Sequence, residues 1–182
     1  MFVRVGNLRT GAGVISASTD GVEWNFDIVT PDAAYFSVAF GAGRWCVVGT
    51  NGTIQTITQP GNSDNWKVFN DVSSKELLTT ATVYRMALFA GGKWIAAGDG
   101  LITTANPLEW PNGTQTLKDK IIAGCVGANG KLVLVGENGL ILSGNDPFAW
   151  TRTIVPREPS MNFHGISYGN GVWCVVGTGG MI

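Results

Sequence analysis

His164 is the only histidine in the 182 residues. A serine–histidine–acid triad would have to pass its proton through that one ring. No Gly-x-Ser-x-Gly elbow exists to present a serine. His164 opens an apolar run after Asn162-Phe163, where a hydrogen-bonded strand residue is expected. The three cysteines, Cys46, Cys125 and Cys174, are dispersed, and with one histidine they make no zinc spacing. Asp99, Glu137 and Asp146 are isolated loop acids without the spacing of a calcium loop. Gly11-Ala12-Gly13 and Gly41-Ala42-Gly43 mimic the start of a dinucleotide fingerprint, but neither reaches a third glycine or opens a helix. Asn51-Gly52-Thr53 and Asn112-Gly113-Thr114 fit the glycosylation acceptor. No secretory signal is read in Met1 to Asn7, so neither is expected to be used. The expectation is a chain with no catalytic residues, no metal site and no cofactor.

Composition agrees with that expectation. The formal charge is −1, which leaves no basic footprint for nucleic acid. Charged residues make up 14%, against about 25% in an average domain. Glycine supplies 26 residues, so many short strands joined by tight turns are expected. No apolar run reaches the roughly 18 residues of a membrane span.

The elements that must position any site come from a repeat. Gly41-Ala42-Gly43-Arg44-Trp45-Cys46-Val47-Val48-Gly49-Thr50-Asn51-Gly52-Thr53-Ile54 recurs from Gly91 to Ile102, from Asn129 to Ile141 and from Asn170 to Ile182. The chain also opens inside a copy, with Phe2 to Gly6 matching Trp45 to Gly49. Each unit holds four apolar runs, a to d. The a runs start at Tyr35, Tyr84, Ile121 and Phe163; the b runs at Phe2, Trp45, Trp94, Leu132 and Trp173. The c runs start at Val14, Thr53, Leu101 and Leu140, and the d runs at Trp24, Trp66, Trp110 and Trp150. Glycine and asparagine separate a from b and b from c, as hairpin turns with positive φ require. The d-run tryptophans recur about every 40 residues, a period that with four strands per unit predicts a propeller. Cys46 and Cys174 occupy one slot in two units. They are expected too far apart for a disulfide, which needs Cα atoms within about 7 Å, and all three thiols are expected to be buried. Trp45, Trp94 and Trp173 share another slot and are expected as core rather than as a sugar platform.

Ser18-Thr19-Asp20-Gly21-Val22-Glu23-Trp24 resembles a shortened Asp-box, the hairpin of sialidase-like propellers. The whole repeat resembles propeller repeats of the photosystem-assembly-factor type, and more closely their versions in bacteriophage tail and host-specificity proteins. The resemblance covers nearly the whole chain and implies a fold; such folds host many functions. It raises sialidase activity as the enzymatic option. Arg4, Arg9, Arg44, Arg85, Arg152 and Arg157 lack that family's surrounding motifs, and the chain is short for it.

The expected architecture is therefore all-β: a single β-propeller domain of about five units, each a four-stranded antiparallel meander. The units run at about 1–30, 31–72, 82–117, 120–156 and 162–182, the first lacking strand a and the last lacking strand d. Only Ser74 to Leu78 has a helical pattern. Open blade edges are sticky, so they are expected to be covered by another chain, with other virion proteins or further copies of this chain as the partners, or by a missing remainder of this chain. The b–c and d–a connections emerge together, and the d–a linkers vary most, so contacts are expected there. The residues are Asn51, Lys75, Glu76, Asp99, Lys118, Glu137, Arg157 and Glu158. The expected role is a non-catalytic structural or receptor-recognition component of a phage particle, tail-associated, made in the host cytoplasm and placed in the virion. A glycan-binding propeller, or a protein-binding assembly factor, is the alternative; a host surface glycan or protein would be the receptor.

Overall fold

The structure is a computed structural model that describes residues 1–24, 26–58, 67–70, 82–106, 109–155 and 161–180. The described elements are strands and single 3-10 turns. Strands β1 (Phe2–Asn7), β2 (Gly13–Ser18) and β3 (Phe26–Thr30) pair antiparallel in that order. Strands β4 (Tyr35–Gly41), β5 (Arg44–Gly49), β6 (Thr53–Ile57) and β7 (Lys67–Asn70) make a complete four-stranded meander. The b–c turn of this meander works because Asn51 and Gly52 both adopt left-handed φ, 56° and 66°. Asparagine tolerates that region and glycine has no Cβ to oppose it. Asn138 and Gly139 repeat the pair at 56° and 69°. The helical pattern at Ser74 to Leu78 lies outside the described residues.

The third and fourth units depart from separate blades. Strands β8 (Tyr84–Ala90), β9 (Lys93–Asn106), β10 (Glu109–Val126), β11 (Leu132–Gly136), β12 (Leu140–Asp146) and β13 (Ala149–Ile154) form one six-stranded sheet. β9 runs through Gly98-Asp99-Gly100, where a turn is expected from the sequence. Its first half pairs with β8, and its second half, from Asp99, pairs with β10. The physical reason is local. This connection is one residue shorter and lacks the Asn-Gly pair, leaving Gly100 as its left-handed residue. β10 likewise carries residues 111–120, where a d–a linker is expected between the d run at Trp110 and the a run at Ile121, inside a strand. Strands β14 (Phe163–Gly169) and β15 (Val172–Gly177) close the described chain as a two-stranded sheet.

The core lies between units. Side chains alternate across each b strand, and the two faces meet different neighbours. In β5, Cys46 and Val48 pack forward on Tyr84, Trp94 and Ala96, while Val47 packs backward with Ile15, Val3 and Val5. In β9, Trp94 and Ala96 face backward, while Ile95 and Ala97 meet Ile121, Leu132 and Leu134. In β11, Val133 and Val135 face forward to Met161, Phe163, Trp173 and Val175. Four clusters therefore form four seams between consecutive units. A sheet covered on both sides buries apolar residues on both faces, which explains why the b strands do not alternate polar with apolar. Each seam side chain of leucine size removed from water contributes about 2 kcal/mol.

The tryptophan slot shares a ring pairing but not a depth: Trp94 is fully buried as expected of core, whereas Trp45 and Trp173 are half-buried. Trp45, Trp94 and Trp173 lie directly across the a–b hairpin from Phe40, Phe89 and Tyr168. The ring centroids are 4.8, 5.0 and 4.7 Å apart. Phe89 of the third unit also sits on Gly41 of the second, where an added Cβ would come 2.2 Å from the ring. Trp173 sits in the same way on Gly127, at 2.3 Å. The cysteines differ from expectation. Cys46 is buried, Cys125 is half-buried, and Cys174 is exposed on the face of β15 that points away from the fourth unit. Burial pushes the Cys46 thiol well above its ordinary pKa.

Candidate functional site

The strand-b glycines organise the rim on which contacts are expected. Gly49, Gly98, Gly136 and Gly177 each lie against the carbonyl of the residue just before the a run of their own unit. An added Cβ would sit 2.0 Å from the Ala34 oxygen, 1.9 Å from Val83, 1.9 Å from Lys120 and 2.5 Å from Asn162. The next residue continues the contact. The Thr50, Asp99 and Thr178 amides donate to the Ala34, Val83 and Asn162 carbonyls, each at 2.9 Å.

The side chains of this slot reach back into the same unit. The Thr50 hydroxyl accepts from the Ala34 amide at 2.8 Å, and the Thr178 hydroxyl accepts from Asn162 at 3.0 Å. Where the slot is acidic, the strand-a side supplies a cation. Arg85 Nε donates to Asp99 Oδ1 at 2.7 Å, with both side chains partly exposed. Lys120 Nζ lies 3.9 Å from Glu137 Oε1. The two acids are thus paired within the fold, and neither stands alone as a ligand.

The other expected contact residues are placed as follows. Asn51 is exposed at its turn, and its Nδ2 donates to the Asp32 carbonyl at 2.7 Å. Lys118 is exposed on β10, in a strand rather than in a loop. Beside it, Asp119 is bound by Arg152 of β13. Lys75, Glu76, Arg157 and Glu158 lie outside the described residues. Asn51, Asp99 and Glu137 share the b–c end of their units, and the pairing of Asp99 with Lys120 brings Lys118 to the same end. His164 is exposed beside the register shift between Phe163 and Gly165. Among the described residues, no group of three His, Cys, Asp or Glu side chains could hold a metal. No described helix is long and apolar enough to cross a membrane.

The Asp-box-like turn is well formed. Ser18 Oγ donates to Asp20 Oδ1 at 2.9 Å, and the Gly21 amide donates to Ser18 Oγ at 2.8 Å. The Val22 and Glu23 amides donate to Asp20 Oδ1 at 2.8 and 2.9 Å. These two backbone donors, with the serine hydroxyl, hold the Asp20 carboxyl below its usual pKa. The box therefore closes a hairpin with its own polar groups.

A shallow depression of about 250 Å³ lies at the opposite, a–b end, lined by Gly91, Lys93, Gly130, Asn145, Asp146 and Pro147 among others. Lys93 Nζ lies 5.0 Å from the centroid of the Phe148 ring, and Asp146 Oδ1 accepts from the Phe148 amide at 2.9 Å. Sequence reasoning named Asp146 only as an isolated acid and passed over Lys93 and Asn145. The signal that could have found them is the c–d turn Asn145-Asp146-Pro147-Phe148, where an Asn-Asp pair runs directly into a proline and a large aromatic.

No protein-family model matches the sequence, and no curated protein matches it. Solved structures do share its fold. One is the mitotic checkpoint complex, at TM-score 0.65 and 11% identity over 96% of this chain and 60% of that one. Another is YCF48 from Cyanidioschyzon merolae, at TM-score 0.59 and 14% identity, covering 98% of this chain and 64% of that one. A third is apo AztD from Citrobacter koseri, at TM-score 0.57 and 13% identity, covering 96% and 53%. The chain thus spans between about half and two thirds of the length of these chains. At such identities the likeness concerns the fold alone: an all-β chain with propeller-like neighbours.

Proposed function

We propose that this chain is a non-catalytic, protein-binding subunit of a larger assembly. The observation that carries the reading is the exposed apolar surface on its outermost sheets. Phe2 and Val29 on the first sheet are 51% and 50% exposed, and Val172 and Val176 on the last are 65% and 41% exposed. Apolar patches of this kind mark interaction sites. The rim supports the same reading, because its acids are spent on Arg85 and Lys120 rather than aimed at a reacting group.

The narrower reading is a structural or receptor-recognition component of a phage virion, associated with the tail. It rests on the resemblance of the Tyr168 to Gly177 repeat and draws nothing from the fold neighbours. Mass spectrometry of purified particles tests it: a virion component is present at a fixed copy number, whereas an assembly factor is absent from finished particles. A glycan-binding role is favoured by one feature, the Lys93–Asn145–Asp146 depression beside the 45%-exposed Phe148. An apolar ring beside polar groups suits a sugar, and a glycan array on the purified chain tests that reading.

A further inference from the structure

We propose that copies of this chain associate head to tail, the outer face of β14–β15 in one copy seating on the outer face of β1–β3 in the next. The proposal deepens the assembly reading above by naming the partner, and it rests on that reading only for its biological purpose.

The argument is continuity with the seams inside the chain. In every b strand the first and third positions face the preceding unit, and the second and fourth face the following one. Val3 and Val5, Cys46 and Val48, Ile95 and Ala97, and Val133 and Val135 are the forward-facing pairs, and each pair lies in a seam. The fifth forward pair is Cys174 and Val176. It is the same chemistry in the same slot, yet it is exposed. Register places Ser167 beside Cys174, Gly165 beside Val176 and Gly169 beside Val172 on that face. The complementary backward face is also exposed on the same molecule. Phe2 holds the slot that Trp45, Trp94, Leu132 and Trp173 hold elsewhere, and Val14 pairs with Val29 on its side of the sheet. Both halves of a fifth seam are therefore exposed on one chain, and a second copy supplies the missing half in each case.

One residue departs from the pattern. Arg4 occupies the third slot, where the other units place Val47, Ala96, Leu134 and Val175. Its guanidinium lies 4.2 Å from the Trp24 ring centroid, and register puts Ser16 and then Asp27 beside it. A charge in the face makes this seam weaker than the internal ones. Two different faces meet, so the contact is heterologous and makes a closed ring or an open file of copies.

Sedimentation equilibrium of the full chain tests the proposal, with folding checked by circular dichroism. The wild type is expected to gain mass with concentration. Phe2→Asp alone and Val176→Asp alone are each expected to remain monomeric, because each spoils one of the two faces. Mixed in equal amounts, they are expected to form a 1:1 dimer, joining the intact face of one to the intact face of the other. Val29→Asp and Val172→Asp serve in their place where a first variant fails to fold. A monomeric wild type overturns the proposal and leaves capture of a different protein standing. A Phe2→Asp variant that still associates overturns it as well, by showing that two like faces meet.

Discussion

The Gly52 amide donates to the Thr82 carbonyl at 2.8 Å, joining the b–c turn of the second unit to the chain entering the third. The Gly139 amide repeats the bond to the Met161 carbonyl at 2.8 Å, between the fourth unit and the fifth. Gly13 lies against Ala33 in the corresponding place, an added Cβ there coming 2.4 Å from the carbonyl oxygen. The seams are thus fixed by backbone contacts at one end and by apolar alternation along the strands. Units so joined hold their b–c turns on one side.

The strand-b glycines test the backbone part of this account. Gly49→Ala, Gly98→Ala and Gly136→Ala each push a methyl into a carbonyl that a rotamer change cannot move. Each is expected to cost about 3 kcal/mol or more. Gly177→Ala, in the two-stranded last sheet with 2.5 Å of clearance, is expected to cost less. Urea denaturation of the four variants checks the order.

The seams predict a second contrast. Leu134 is fully buried between the third and fourth units. Leu134→Ala is expected to lower stability by about 3 kcal/mol. Val176→Ala, on the uncovered outer face, is expected to change it by about 0.5 kcal/mol or less in the monomer.

Much of this was legible in the sequence, for identifiable reasons. The Asn-Gly pairs at 51–52 and 138–139 require left-handed backbone, and so mark their turns directly. The shared slot of Trp45, Trp94 and Trp173 predicts shared surroundings, and the rings opposite each of them bear that out. The continuous β9 was not legible, because Gly98-Asp99-Gly100 keeps the glycines of the pattern while losing the asparagine that turns the chain. The pairing of Asp99 with Arg85 was hidden for a different reason. It depends on hairpin register, which brings together residues far apart along the chain. Cys174 was misplaced because slot identity predicts burial only where a neighbouring unit exists to provide it.

Thiol chemistry separates the three cysteines. Cys174 is exposed, Cys125 half-buried and Cys46 buried. A disulfide-exchange reagent under native conditions is expected to label Cys174 first and Cys46 only as the chain unfolds. Rapid labelling of Cys46 would contradict its place in the seam with Trp94.

The raised Cys46 pKa makes stability depend on alkaline pH. The unfolded thiol ionises from about pH 8.5, and burial holds the folded thiol neutral well beyond that. Its contribution is full below about pH 8.5 and falls as pH rises, by up to about 1.4 kcal/mol per pH unit. Burial raises Tyr35 in the same direction, which extends the loss above about pH 10. Denaturation midpoints between these two values are expected to fall for the wild type and to flatten in Cys46→Val.

The alternation of strand faces between neighbouring units can be read from methyl contacts in solution. A methyl-resolved NOESY spectrum is expected to connect Leu134 with Met86 and Ile95, and Val135 with Met161 and Phe163, with no cross peak from Val135 to the third unit. Cross peaks from both Leu134 and Val135 to the same neighbouring unit would contradict the stacked seams on which the account stands.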